Sequence, residues 1–259
     1  MRVVVVGASS GLGRCIGVGL ALGGAQVALL ARRRDRLADA AKEAGPGTLA
    51  IECDVTDAAS SSRAIEEAAA GLGGIDGLVY TPGIGPLRRL VDMDADEWRR
   101  VLDTNVIGAS QVTRAALPHL TASKGTGVYL SSVSASQTPP WPGLGAYAVS
   151  KAALDKLVDA WRAEHPEVGF TRLVVGECAG GEGDAMTGFA SEWDLELAAE
   201  LVPAWMARGY MSGVLMPVER LVAMTEMVLR GGAEDSIPSV IVAPRPVPQA
   251  APPAHPDAG

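Results

Sequence analysis

Short apolar runs alternate with longer segments of helical periodicity over most of this chain. The apolar runs are rich in Val, Leu and Ile, which is typical of strands buried on both faces of a sheet. We predict strands over residues 3–6, 26–30, 48–52, 76–80, 127–131, 170–175 and 240–243.

The segments between these runs repeat apolar residues every three or four positions, which indicates helices with one buried face. We predict helices over residues 12–23, 58–71, 146–164 and 219–229, and one that begins near Asp94 and runs toward Leu120. Strands that alternate with helices predict an α/β fold, a Rossmann-type doubly wound parallel sheet in a single domain over residues 1–243. Ligands of such sheets bind at the carboxyl ends of the strands.

The alternation loosens over residues 176–217, which we interpret as an insertion on the substrate side of the domain. Its apolar side chains fit either the packed underside of one or two helices or a lid over a substrate, and both interpretations stay open. Residues 244–259 are rich in proline without apolar periodicity, so we predict a disordered tail. The large apolar residues of the insertion are Met186, Phe189, Trp193, Trp205, Met206, Tyr210 and Met211.

Composition narrows the range of partners. The 259 residues are 48% hydrophobic, which is enough for a sizeable core, and the net charge of −8 argues against nucleic acid or an anionic membrane as a partner. Cys15, Cys53 and Cys178 have neither an even count nor the spacing of a metal site, so we expect no metal and a reducing, cytoplasmic setting. The N-terminal region enters a strand at once, and we expect no targeting segment.

A glycine-rich turn, GASSGLGR, joins the first predicted strand to the first predicted helix. Glycines permit a tight turn and a close approach of the backbone, and the free amides of a helix start face an anion. The order of strand, glycine turn and helix therefore predicts a dinucleotide phosphate site. Its predicted contacts are Gly7, Ser9, Ser10, Gly11, Leu12 and Gly13.

Arginines follow the second predicted strand, where a dinucleotide fold holds the adenosine ribose. Arg32, Arg33 and Arg34 occupy this position and no acidic residue does, which favours the 2′-phosphate of NADP over the free hydroxyl of NAD. A basic helix start facing solvent would explain one or two of the three. After the third strand, Asp54 and Val55 are placed to frame the adenine.

Tyr147 and Lys151 lie one turn apart at the start of a predicted helix, so their side chains point the same way. An ammonium beside a phenol favours the phenolate and is expected to lower the pKa of the tyrosine, making it a proton donor and acceptor near neutral pH. The pattern alone is short and also fits an ordinary surface pair.

Together these motifs resemble the short-chain dehydrogenase/reductase family. The resemblance implies that Tyr147 exchanges a proton with the substrate oxygen, and that Lys151 tunes this tyrosine and holds the nicotinamide ribose. It implies that Ser132 orients the substrate carbonyl, with Ser134 as a rival because the following loop is longer than usual. Asn105, the only asparagine in the chain, would anchor a water in a proton relay to Lys151.

The resemblance covers residues 2–175 well and the remainder loosely. Val6 stands where the family has threonine, and after the fourth strand Tyr80, Thr81 and Pro82 replace Asn-Asn-Ala, so that only Gly83 of that stretch is kept as a cofactor contact. After the sixth strand, the sequence GECAG replaces the family's Pro-Gly, at the expected contact with the nicotinamide amide.

The sequence therefore predicts an NADP-dependent oxidoreductase that acts on an apolar ketone, aldehyde or alcohol, in a homodimer or homotetramer as the family implies. The alternative is a noncatalytic dinucleotide-binding sensor or scaffold. The four residues Asn105, Ser132, Tyr147 and Lys151 favour the enzyme, because a binding module has no need of all four. The departures near Tyr80 and Cys178 favour the alternative.

Overall fold

The strands that the apolar runs predict all form, and they pair in parallel within one sheet. The computed structural model describes residues 1–180, 189–231 and 235–245. The strands in these ranges are β1 (Arg2–Val6), β2 (Gln26–Ala31), β3 (Leu49–Glu52), β4 (Gly77–Tyr80), β5 (Thr126–Ser132), β6 (Gly169–Val175), β7 (Cys178–Ala179), β8 (Met216–Pro217) and β9 (Ser239–Val242).

The main sheet has the order β3-β2-β1-β4-β5-β6-β9. Successive strands are therefore added on one side of β1 up to β3 and on its other side from β4 onward, so the strand order reverses between β1 and β4. Val3 of β1 pairs with Val27 on one side and with Gly77 on the other. Ligands of open parallel sheets bind at such a reversal, outside the carboxyl ends of the strands. The predicted Rossmann-type sheet and its single domain are confirmed.

Helices cover both faces of the sheet, because each has one apolar face. On one face, Ile16, Leu37 and Leu221 come from three helices and pack against β1 and β2. On the other face, Ile65 and Val112 belong to the second core. The helices are α1 (Gly11–Leu22), α2 (Arg34–Ala44), α3 (Ala58–Leu72), α4 (Ala95–Leu102), α5 (Gly108–Ser123), α6 (Val133–Ser136), α7 (Gly145–Glu164), α8 (Leu195–Ala207) and α9 (Val218–Gly231).

The helix predicted from Asp94 toward Leu120 is present but interrupted. α4 ends at Leu102, five residues of π-helix follow at Asp103–Ile107, and α5 then continues. A π turn inserts one extra residue into a helix and is frequent at functional sites. Asn105 lies within this turn.

The described part of the insertion contains one helix, α8, and a short ribbon in which β7 pairs with β8. Trp205 and Leu201 of α8 are buried against Leu87 and Leu144, so the interpretation as a packed helix is confirmed for this element. Met186 and residues 246–259 of the predicted tail lie outside the described residues. Within the described ranges, every helix is too short or too polar to span a membrane.

Candidate active site

A cavity of about 730 Å³ runs along the carboxyl ends of the strands. Its walls include every residue predicted to contact the cofactor, together with Ser132, Ser134, Tyr147 and Lys151. Asn105 alone among the predicted site residues does not line it, because that side chain is fully buried. The described side chains include no group of three or more His, Cys, Asp or Glu that could hold a metal ion.

The glycine turn forms one end of the cavity. Gly7 has φ +83°, and a Cβ there would lie 2.5 Å from Thr81 Oγ1. A Cβ on Gly13 would lie 2.3 Å from the same oxygen, so both positions exclude a side chain. Thr81 in turn donates a hydrogen bond to the Val6 carbonyl at 2.6 Å, so the threonine that follows β4 locks the turn against β1.

Gly11, the first residue of α1, has φ +56°, and a Cβ there would meet nothing within 4 Å. The turn is therefore open on the side that faces the cavity. The first amides of a helix have no partner within it, and Ser10 makes no side-chain capping bond to them. This open turn with unshared amides fits the pyrophosphate of a dinucleotide.

The arginine run divides between the cavity and the surface. Arg33 donates to the hydroxyl oxygens of Ser9 at 3.1 Å and Ser10 at 2.5 Å, which places its guanidinium over the glycine turn. Arg32 also lines the cavity, whereas Arg34 turns away and forms an ion pair with Glu52.

Arg36 lines the cavity as well, and the sequence analysis missed it. It lies three positions after Arg33, a spacing that brings both side chains to the same face once α2 begins at Arg34. Helical spacing read forward from Arg33 could have found it. Arg32, Arg33 and Arg36 therefore concentrate positive charge on this part of the cavity wall, which suits an anionic group.

Asp54 follows β3 and lines the cavity. Burial opposes its ionisation, but hydrogen bonds from the amide and hydroxyl of Thr56, at 3.0 and 2.8 Å, and the nearby Arg32 hold the pKa of Asp54 below its ordinary value. Asp57 accepts a bond from the Ala59 amide at 2.8 Å and caps α3. Asp57 is thus committed to the helix, whereas the Asp54 carboxylate lies on the cavity wall near Arg32.

Tyr147 and Lys151 both face the cavity from the first turns of α7. The Lys151 ammonium is 3% exposed, donates to the Leu130 carbonyl at 2.7 Å and lies 5.7 Å from the centroid of the Tyr147 ring. The predicted closeness of the two side chains is present.

The predicted effect on the tyrosine pKa is wrong for this structure. Burial raises the pKa of Tyr147 to about 12, and a hydrogen bond with Ser132 only partly opposes the rise. Burial also lowers the pKa of Lys151 to about 8, against the attraction of Asp155. Low dielectric surroundings penalise both charged forms, and here that penalty outweighs the attraction of the ammonium for a phenolate.

The two serines are neighbours and hold different positions. Ser132 ends β5 and caps α6 by accepting from the Ser134 amide at 3.2 Å, and the two hydroxyl oxygens lie 3.0 Å apart. Ser134 is 4% exposed, whereas the Ser132 hydroxyl reaches Tyr147 and acts to lower the pKa of its phenol. This geometry favours Ser132 as the serine that meets a substrate oxygen beside Tyr147.

Asn105 lies behind the cavity wall and joins the loop after β4 to α7. Its Oδ1 accepts from the Ile84 amide at 2.9 Å, and its Nδ2 donates to the Ile84 carbonyl at 2.9 Å and to Ser150 Oγ at 2.8 Å. Ser150 Oγ then donates to the Tyr147 carbonyl at 2.7 Å. Ser150, which directly precedes Lys151, thus links Asn105 to the backbone of Tyr147, and the sequence patterns did not single it out.

The substrate end of the cavity is lined by apolar and aromatic side chains. Trp193 Nε1 donates to the Gly85 carbonyl at 2.9 Å and fixes the approach to α8. Glu177 lies directly before β7, and its carboxylate holds the segment that follows α8: it accepts from the amide and hydroxyl of Ser212, each at 2.5 Å, and from the Gly213 amide at 3.2 Å. The apolar residues of this end are Trp141, Leu144, Phe189, Trp193, Met211 and Leu215.

The chain belongs to the short-chain dehydrogenase family, whose model matches residues 1–194. It is 37% identical over 166 residues to a short chain dehydrogenase of Pseudocercospora fijiensis, which covers 62% of this chain and 53% of the relative. It is 33% identical over 180 residues to 11-beta-hydroxysteroid dehydrogenase A of Sesamum indicum, covering 67% of this chain and 51% of that protein. The chain thus spans about half the length of these curated relatives.

Among solved structures, an alcohol dehydrogenase from the archaeon Thermococcus sibiricus, complexed with 5-hydroxy-NADP, matches with a TM-score of 0.78 at 23% identity. The match covers 96% of this chain and 98% of that one. The overall fold is therefore shared with a dinucleotide-binding protein.

Proposed function

We propose that this chain is an NADP(H)-dependent oxidoreductase that transfers a hydride between the nicotinamide and a ketone, aldehyde or alcohol. The observation that carries the proposal is one continuous cavity with Arg32 and Arg33 at one end and Tyr147, Lys151 and Ser132 at the other. The arginines support NADP over NAD, because a guanidinium can form two parallel hydrogen bonds with the oxygens of a 2′-phosphate.

A bound NADPH would supply the hydride. Tyr147 stays protonated at neutral pH because burial raises its pKa to about 12, and its hydroxyl proton goes to the carbonyl oxygen that gains negative charge. The Ser132 hydroxyl, beside Tyr147, donates a second hydrogen bond to that oxygen and stabilises the developing charge. The Lys151 ammonium lies near the Tyr147 ring, and its positive charge stabilises the phenolate that remains once the proton has left.

The protonated state of Tyr147 supports carbonyl reduction as the favoured direction, since a reductase needs an acid at this position. The apolar substrate end supports an uncharged, apolar substrate. Among the described residues that line the cavity, the basic ones are Arg32, Arg33 and Arg36 at the cofactor end, and Lys151. An anionic substrate would thus find no cation beyond Lys151 at the substrate end.

We also expect a cytoplasmic protein that assembles as a homodimer or homotetramer. Sedimentation of the purified chain tests the assembly, and localisation of a tagged chain tests the compartment. The alternative function, a noncatalytic dinucleotide sensor or scaffold, is supported by the residues that depart from the family after β4 and β6.

A screen of uncharged ketones and aldehydes that follows NADPH and NADH consumption tests the proposal, with Tyr147→Phe and Tyr210→Phe as matched variants. Both variants lose a phenol hydroxyl and keep the ring. We expect Tyr147→Phe to lower kcat by about 10²-fold to 10⁴-fold and to keep NADPH binding, and Tyr210→Phe to change neither. Unchanged turnover in Tyr147→Phe would contradict the mechanism, and NADPH binding without turnover of any substrate would favour the sensor.

A further inference from the structure

We propose that Tyr80 is a positioning residue whose hydroxyl holds the π-helical turn that carries Asn105. Tyr80 ends β4 and is fully buried. Its hydroxyl donates to the Thr104 carbonyl at 2.5 Å, on the residue that immediately precedes Asn105. The contact therefore joins the central sheet to the turn at the residue beside Asn105.

The π turn creates the need for this hydrogen bond. The Gly108 amide donates to the Asp103 carbonyl, five residues back, rather than to the Thr104 carbonyl, four residues back. The Thr104 carbonyl thereby loses its ordinary α-helical donor, and an unpaired buried carbonyl is costly. The Tyr80 hydroxyl supplies the missing donor, so it stabilises the π register over the α register.

Gly108 makes the contact possible in a second way. A Cβ at this position would lie 2.8 Å from the Tyr80 hydroxyl oxygen, closer than Cβ contacts allow. The Gly108 amide bonds to Asp103 and not to the Thr104 carbonyl, and the absence of a side chain at Gly108 leaves room for the phenol. Tyr80 and Gly108 therefore act together to stabilise the π-helical turn.

The turn connects to the candidate active site through Asn105. The amide of Asn105 bonds both backbone groups of Ile84 and the hydroxyl of Ser150, which bonds the Tyr147 carbonyl. A return of the turn to α-helical register would shift Asn105 and loosen this chain of hydrogen bonds. Burial raises the pKa of Tyr80 well above its ordinary value, which keeps the hydroxyl protonated as a donor.

Tyr129 offers a matched control. It is 1% exposed, its ring centroid lies 6.4 Å from that of Tyr80, and its hydroxyl oxygen lies 2.6 Å from Thr113 Oγ1. Thr113 belongs to the regular part of α5, beyond the π turn. Tyr129→Phe therefore removes a buried hydroxyl from the same core without touching the turn.

Asparagine occurs once in the chain, so a protein labelled with ¹⁵N-asparagine gives a single side-chain amide signal from Asn105. We expect Tyr80→Phe to shift this signal and to make its protons exchange about fivefold to tenfold faster, because one neutral hydrogen bond is lost. Tyr129→Phe should leave the signal in place while it lowers the melting temperature. Gly108→Ala, which displaces the hydroxyl and keeps Tyr80, should shift the signal as Tyr80→Phe does.

A kinetic readout rests on the proposed function: Tyr80→Phe should lower kcat and leave the KM for NADPH unchanged. An Asn105 signal that stays in place in both folded variants, Tyr80→Phe and Gly108→Ala, overturns the proposal. A shifted signal with unchanged kcat supports the positioning of Asn105 by Tyr80 and counts against the proton relay that the family resemblance implies for Asn105, so the two failures are distinguishable.

Discussion

The ring of Phe189 meets the ring of Tyr147 edge-on, with 4.7 Å between their centroids. Phe189 is 39% exposed, so it stands between the candidate acid and solvent. Gly85 makes the contact possible, because a Cβ there would lie 2.5 Å from the Phe189 ring and 3.1 Å from Tyr147 Cδ2. Burial of the phenol, the cause of its raised pKa, therefore depends on a residue of the insertion.

Phe189→Ala should lower the pKa of Tyr147 from about 12 toward its ordinary value of 10.0, because water reaches the phenolate. The ultraviolet titration of tyrosine, taken as the difference between each protein and its Tyr147→Phe counterpart, measures this change. Leu195→Ala removes another exposed apolar side chain that does not line the cavity, and it should leave the titration unchanged. Equal titrations in the wild-type protein and Phe189→Ala would show that Phe189 does not shield the phenol.

Arg33→Ala should weaken NADPH binding by about 10-fold to 100-fold and NADH binding much less, because a charge-assisted contact to the 2′-phosphate is lost. Arg34→Ala is the control, since its neighbouring guanidinium turns away toward Glu52. Fluorescence titration with each nucleotide measures both. Equal losses for the two nucleotides in Arg33→Ala would mean that this arginine supports only the glycine turn, through Ser9 and Ser10.

Ser132→Ala should lower kcat by about 10²-fold to 10³-fold, as the loss of one donor to a developing oxyanion does. Ser134→Ala should cost less than about tenfold, because the buried Ser134 hydroxyl acts through Ser132. Steady-state kinetics of both variants on one substrate separate the two roles. A larger loss in Ser134→Ala would reverse the assignment.

Lys151→Met should stabilise the protein at pH 7. The folded pKa of about 8 lies below the ordinary 10.5, so the folded chain holds an unfavourable buried charge below pH 8, at a cost of about 3 kcal/mol. That penalty disappears as the pH rises from 8 to 10.5, because the lysine of the unfolded chain then loses its proton too. Loss of the bond to Leu130 offsets about 1 kcal/mol, so we expect a gain of about 2 kcal/mol at pH 7.

Urea unfolding at pH 7 and pH 10 measures this difference. The gain in Lys151→Met should shrink at the higher pH, where wild-type stability recovers relative to the variant. Lys156→Met, on the same helix but with a side chain 84% exposed, should show no such trend. A gain in Lys151→Met that is independent of pH would show that the ammonium is not penalised by burial.

Features with a local cause could be predicted from the sequence. The β-branched run before Gly7 and the helical spacing of Tyr147 and Lys151 each lie within a few residues, and both predictions agree with the structure. The direction of the tyrosine pKa shift could not be predicted, because burial causes it, and Phe189, which packs against the ring, is distant along the chain. The π register at Asn105 has no signature in hydrophobic periodicity, and it depends on a hydroxyl from β4.

The ribbon of β7 and β8 pairs Cys178 with Met216 and Ala179 with Pro217. The chain therefore leaves the domain just after β6 and returns beside its point of departure, just before α9. A segment whose two ends are held together can be exchanged for another of different length with little strain on the domain that carries it. The residues between Ala179 and Met216 are thus a natural unit for transplantation, and grafting a homologous segment here should change substrate preference while the dinucleotide end of the cavity keeps its affinity.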